Sequence, residues 1–164
     1  MLESRRLYFV PWEKSDFKVL KKTLGNPKVC EYLPGKNQKS DEEIQKWLDF
    51  YVSSFNDDLG NKIFKVLNKQ TGEVIGYGGL GFVKEFDEIE IMYGFDVKHW
   101  GLGYATEVSN KLKEYAKKIG LKYVIALADV GNIGSAKVLE KTGFKQIKEV
   151  EMWGLDLYFY EMNL

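Results

Sequence analysis

The chain has 164 residues, 45% of them apolar, with 24 basic against 24 acidic side chains, which suits one domain (1–164) with a packed core. Zero net charge disfavours a general nucleic-acid binder or a binder of anionic membranes. One cysteine, Cys30, and one histidine, His99, leave no intrachain disulfide and no metal site to expect.

Leu7–Val10 reads as a short strand ended by Pro11. Ser15 is placed to cap a helix reaching about Leu24, with Gly25, Asn26 and Pro27 stopping it. Ser40 and Glu43 have the spacing of a capping box, and the helix they open puts Ile44, Trp47, Leu48 and Tyr51 on one face. Trp47 and Tyr51 are expected in the core. Cys30, without a histidine in a catalytic pattern, reads as inert.

Beta structure follows. Lys62–Leu67 and Val74–Val83 are strands joined by a turn at Gln70, Thr71 and Gly72, and Glu88–Val97 is the next. Four glycines in Val74–Val83 predict a bulge or a close backbone contact. An amphipathic helix runs from Tyr104 to Ile119, burying Ala105, Val108, Leu112, Ala116 and Ile119, and Gly120 ends it. Tyr123–Ala128 is apolar throughout, as the interior of a parallel sheet requires. Asn132 caps a short helix to Thr142, closed by Gly143, and strands at about Phe144–Glu151 and Leu157–Met162 finish the chain as a hairpin. Glu88 to Ala128 is therefore one βαβ unit with parallel strands.

Charge is unevenly spread. Residues 98–148 carry ten Lys against four acids, and residues 41–58 six acids against Lys46. A solvated helix surface accounts for this, and so would a polyanion bound on the C-terminal half with a cation near the N-terminal half. No apolar run approaches the ~20 residues that span a bilayer, and the N-terminus has no signal core. The expected location is the cytoplasm.

The loop Lys98-His99-Trp100-Gly101-Leu102-Gly103-Tyr104 follows a strand and opens a helix. Helix-start N–H groups lack partners inside the helix and lie at its positive end. Glycines there let a large anion reach the main chain, so the loop reads as a pyrophosphate cradle. No Lys-Ser/Thr follows the glycines, which disfavours an NTPase. Thr106 stands where a dinucleotide fingerprint has its third glycine.

Trp100 to Glu107 resembles the acetyl-CoA loop of the GNAT superfamily of N-acetyltransferases, and Asn132 to Phe144 resembles that family's second signature. The opening Glu3 to Trp12 and the segment Gly154 to Tyr160 are similar to the RimJ/RimL-like subgroup, which acetylates ribosomal-protein N-termini. The resemblance implies a mixed α/β fold: a twisted, mostly antiparallel sheet with one parallel βαβ unit, splayed strands and flanking helices. It implies acetyl-CoA as cosubstrate, with no metal, and transfer of acetyl to a primary amine, on a protein N-terminus or a small molecule, by direct attack in a ternary complex. A non-catalytic acyl-CoA-binding module is the alternative.

By that resemblance the diphosphate lies on Trp100, Gly101, Leu102, Gly103, Tyr104, Ala105 and Thr106. The pantetheine arm pairs with Phe95, Asp96 and Val97, Asn132 meets it, and Lys137 reaches the phosphates. Lys98 stands where the family often has Gln or Arg. Glu90 is the expected base, with Glu88 second; both lie with Met92 and Gly94 on one strand face, and two carboxylates there could raise one pKa. Ile89, Ile91, Tyr93 and Phe95 take the other face. A backbone N–H near Phe95 would polarise the thioester carbonyl. Leu139 occupies the position of the proton-donating tyrosine of many relatives, and Ser135 is the nearest replacement. A monomer and a homodimer fit equally.

Overall fold

The structure, a computed structural model, describes residues 2–58 and 60–164. Strands β1 (Leu2–Glu3) and β2 (Leu7–Pro11) lead through a 3-10 turn (Lys14–Asp16) to three helices. These are α1 (Phe17–Leu24), the one-turn α2 (Pro27–Cys30) and α3 (Asp41–Ser53). Strands β3 (Lys62–Asn68), β4 (Val74–Val83) and β5 (Glu88–Phe95) follow, then a 3-10 turn at Val97–His99 and α4 (Tyr104–Lys118). The chain ends with β6 (Tyr123–Asp129), α5 (Ile133–Lys141), β7 (Lys145–Met152) and β8 (Leu155–Asn163).

The strands form one sheet in the order β1-β2-β3-β4-β5-β6-β8-β7. Its pairs are antiparallel except β5 with β6, the parallel pair expected of the βαβ unit. One face carries α4 and α5 over a core that includes Val66, Leu80, Ile91, Val108, Leu112 and Val124. The other carries α1 and α3 over Trp12, Leu20, Ile44, Leu48, Tyr51 and Tyr77. Gly78 serves the first face, because a Cβ there would lie 2.7 Å from Val108 on α4. The expected irregularity of the glycine-rich strand is a register shift between Val66 and Leu67 on β3, opposite Gly76 and Val74.

Local signals held where they were reciprocal. The Ser40 hydroxyl accepts from the Glu43 N–H at 3.2 Å, and the Glu43 carboxylate accepts from the Ser40 N–H at 2.8 Å. Gly120 and Gly143 have φ near +95° and close α4 and α5.

Other readings are corrected. Ser15 caps nothing: Asp16 accepts from the Glu13 N–H at 2.8 Å and from Lys65 at 2.7 Å, so the 3-10 turn precedes α1. The helix expected to end at about Leu24 does end there, on Gly25, but the chain does not stay non-helical: the Asn26 side chain accepts from the Lys28 N–H and starts the further turn α2. The strand expected to reach Val97 stops at Phe95, where the chain turns. Ile119 is exposed, because it lies at the helix end rather than over the sheet.

The acidic tract at 41–58 does not enter the main cleft. Glu43 is spent in the capping box, Asp41 pairs with Lys21 at 2.6 Å, Glu42 with Lys46 at 3.0 Å, and Asp49 accepts from Gln45. Among the described residues no helix is long and apolar enough to cross a membrane.

Candidate active site

Strands β5 and β6 share one bridge, Glu90 with Ile125, although both run several residues further. Beyond it they separate, and a cleft of about 870 Å³ opens along the gap. Its walls include Glu90, Met92 and Tyr93 from β5, Leu127 and Asp129 from β6, Ser135 from α5 and the start of α4. Tyr51, Trp47, Tyr77 and Trp153 line it on the α3 side.

Strand alternation sets opposite chemistry on the two sheet faces. Met92 packs with the α1 and α3 cluster, so Glu90, two residues earlier, shares that face. Tyr93 packs with the α4 cluster on the other. Burial raises the Glu90 carboxyl from its ordinary value to about 8, and the Leu127 backbone N–H facing it offsets part of that rise. The cause is loss of water, not the second carboxylate of Glu88. A group poised near neutrality in a cleft is what proton abstraction needs.

Across the gap, the Tyr93 and Ser135 hydroxyls lie 3.2 Å apart. Burial lifts the Tyr93 phenol to about 12, so it keeps its proton and is a donor. Leu139 is buried on the same side. A tyrosine hydroxyl therefore does reach this wall, from β5 rather than from the helix that carries Leu139. The sequence placed Tyr93 on the correct face, but its meeting with a residue 42 positions away had no local signal.

The loop before α4 has the backbone its glycines predicted. Gly101 and Gly103 have φ of +73° and +78°, a region costly for residues with a Cβ. No side chain caps α4, whereas Asn132 caps α5 by accepting from the Ser135 N–H at 3.1 Å. The first N–H groups of α4 are thus free of intrahelical and side-chain acceptors.

An ion pair with no local signal in the sequence fixes this loop. Glu107 accepts from Ser4 Oγ and the Arg6 N–H at 2.7 Å each, and from Arg6 Nε at 2.6 Å. Arg6 also donates to the Leu102 carbonyl at 3.0 Å and stacks 4.4 Å above the Tyr104 ring.

Of the predicted site residues, Glu90, Phe95, Trp100, Gly101, Gly103, Tyr104, Ala105, Thr106, Asn132 and Ser135 line the cleft together. Asp96, Val97, Leu102 and Lys137 are not among its lining. The Asp96 N–H donates to Ile75 and its carbonyl accepts from His99, while the Val97 carbonyl accepts from Trp100. These bonds tie that stretch of main chain to β4 and to the 3-10 turn. Because Asp96 bonds toward β4, alternation turns the edge groups of Tyr93 and Phe95 to the gap. Leu102 and Lys137 point to solvent. Lys98 is held in an ion pair with Glu73, and Trp100, exposed at its edge, anchors its Nε1–H on the Phe95 carbonyl at 2.9 Å. Cys30 is buried, its thiol against the Leu24 carbonyl. Tyr51 is in the core as expected, and Trp47 is half-buried, packed on the edge of that core where it also lines the cleft.

The geometry provides an anion-ready helix start, a slot between strands, a raised carboxyl on one face and paired hydroxyls on the other. Comparison with known proteins agrees. Residues 6–145 match the family model "Acetyltransferase (GNAT) domain". The N-acetyltransferase p20 of Bacillus licheniformis is 28% identical over 151 residues, 88% of this chain and 82% of its own. Among solved structures, an acetyltransferase from Agrobacterium tumefaciens str. C58 superposes with a TM-score of 0.85 at 21% identity, covering 99% of this chain and 94% of that one. RimL, a ribosomal L7/L12 alpha-N-protein acetyltransferase in complex with coenzyme A, gives 0.79 at 16% identity, covering 98% and 96%. These two likenesses are of fold. With the family model spanning most of its length, the chain belongs to the acetyltransferase (GNAT) domain family and is an N-acetyltransferase.

Proposed function

We propose that this protein transfers the acetyl group of acetyl-CoA to a primary amine by direct attack within a ternary complex. The diphosphate of the coenzyme rests on the amides from Gly101 to Thr106, where Gly101 and Gly103 present no Cβ and no side chain caps α4. Lys137, on the exposed side of α5, supplies charge to the phosphates. The pantetheine arm threads between β5 and β6 past Asn132, and the Phe95 N–H polarises the thioester carbonyl.

The ammonium of the acceptor enters from the α3 face and gives a proton to the Glu90 carboxylate. The free amine attacks the carbonyl carbon, the C–S bond breaks, and the proton released from the new C–N bond passes to the departing thiolate. Ser135, backed by Tyr93, donates toward that sulfur from the α4 face. The kinship with RimJ/RimL-like enzymes enters this reading through Ser135. The enzyme is placed in the cytoplasm, as one domain.

The observation that carries the reading is the separation of Glu90 and the Tyr93–Ser135 pair onto opposite faces of one slot. Thiol release from acetyl-CoA, measured over a panel of amines and N-terminal peptides, tests it. Turnover with at least one primary amine, lost in Glu90→Gln, is the expected result. Coenzyme binding without turnover on any acceptor would instead make the protein an acyl-CoA-binding module.

A further inference from the structure

Strands β7 and β8 are joined by two residues, Trp153 and Gly154, with φ of +56° and +72°. A two-residue turn with both φ positive favours Asn, Asp or Gly, because a Cβ there is crowded by the main chain. A bulky tryptophan in that conformation is strained, and strain of this kind collects at functional sites.

The fold gains little from the indole in return. Trp153 is 45% exposed, and its Nε1–H reaches only Glu85 Oε1, at 3.3 Å, in the turn between β4 and β5. It lines the cleft together with Trp47 and Phe50 of α3, whose rings pack on Tyr51. Three partly exposed rings therefore face one cleft.

Charge on these walls is sparse. The lining acids are Glu90 and Asp129; Asp129 is paired with Lys36 at 3.3 Å, and Lys46 also lines the cleft. One carboxyl is left for one cation.

We infer that Trp153 is a specificity-determining residue of the acceptor site, selecting a monoamine that bears an aromatic ring. This rests on the acetyl-transfer reading above and names the substrate class of that site. A ring brought against Trp153, Trp47 and Phe50 is taken from water and gains from offset or edge-to-face packing, which offsets the strain of the turn. The same chemistry is present in a free arylalkylamine and in a peptide that begins with phenylalanine.

The test measures kcat/KM for 2-phenylethylamine, ethylamine and 1,4-diaminobutane, and for the peptides Phe-Gly-Gly and Ala-Gly-Gly. The ring-bearing member of at least one set is expected to lead by about tenfold or more, and the set in which it does identifies the source. Trp153→Asn suits the turn, so it should melt about 2–4 °C above wild type. It should also cut the ring preference about tenfold, through the amine KM and not kcat. Trp153→Phe, which keeps a ring, should retain most of the preference. A ring preference that survives Trp153→Asn overturns the inference, and so does equal or better use of ethylamine and the diamine without preference for the Phe peptide. A Trp153→Asn variant that melts below wild type also overturns it, making the indole a structural part of the hairpin. Transfer to amines without ring preference leaves the acetyl-transfer reading standing; transfer to none removes both.

Discussion

The two sides of the cleft are built by different means. The α4 side presents backbone: unpaired amides after two glycines in the left-handed region, held from behind by Arg6 and Glu107. The α3 side presents side chains drawn from far apart, with Glu90 on β5, Tyr77 on β4, Tyr51 and Trp47 on α3, and Trp153 in the β7–β8 turn. A backbone cradle recognises a constant group, the diphosphate, and tolerates change in its side chains. A wall of side chains can vary with each acceptor. The difference locates what all relatives share and what each must specify for itself.

That contrast can be broken first at Glu90. Glu90→Gln should reduce kcat by roughly 10²- to 10⁴-fold, the range of a lost general base, with thiol release as the readout. Coenzyme affinity, measured by calorimetry, should stay within a few-fold, because the carboxyl faces the acceptor.

The same substitution has a consequence for stability, with a definite sign. The Glu90 carboxyl is raised in the folded state from 4.5 to about 8. Between those values the folded chain binds more protons than the unfolded one, so this group's contribution to stability falls as pH rises through the window. Gln carries no such penalty. Glu90→Gln should therefore melt close to wild type at pH 4 and above it at pH 8.5, by an amount on the order of a few kcal/mol. A melting difference that does not grow with pH would mean that Glu90 is not desolvated.

On the α4 side, Gly103→Val forces a branched residue to φ of +78°. The strain of roughly 1–2 kcal/mol should weaken coenzyme binding about tenfold while leaving the pH dependence of the acceptor step unaltered. Tyr93→Phe removes the hydroxyl behind Ser135 and should lower kcat about three- to tenfold with KM for the amine little changed. An effect confined to the amine KM would move Tyr93 to the acceptor side.

The two sides also differ in how far they could be read from sequence. Glycines, caps and periodicity are local, so the loop at 101–103, the α3 capping box, the βαβ unit and the final hairpin were all legible. The glycine-rich β4 was legible as irregular, but not how. Boundaries set by competing side chains were less legible: the Asp16 carboxylate is held by the Glu13 N–H and Lys65, so a 3-10 turn stands where Ser15 was expected to cap, and Asn26, beyond the expected stop at Gly25, opens the further turn α2.

At the site, alternation put Glu90 and Tyr93 on their proper faces. Contacts made across the fold left no trace in the sequence. Arg6 with Glu107, Tyr93 with Ser135 and Lys36 with Asp129 are pairs of ordinary residues separated by 42 to 101 positions where hydrogen-bonded, and only the folded chain joins them. The acidic tract at 41–58 had two readings from sequence, and its members on α3 serve the one of helix surface, in a cap, in ion pairs with Lys21 and Lys46 and in a bond from Gln45.

The most direct test of the central claim is the pH profile of kcat/KM for acetyl transfer to a single good amine, run on the wild type and on Glu90→Gln. The account predicts a rise with an inflection near pH 8 in the wild type, absent from the variant, whose residual rate follows only the free-amine fraction. An inflection that persists unchanged in Glu90→Gln would contradict it and assign the proton transfer to another group.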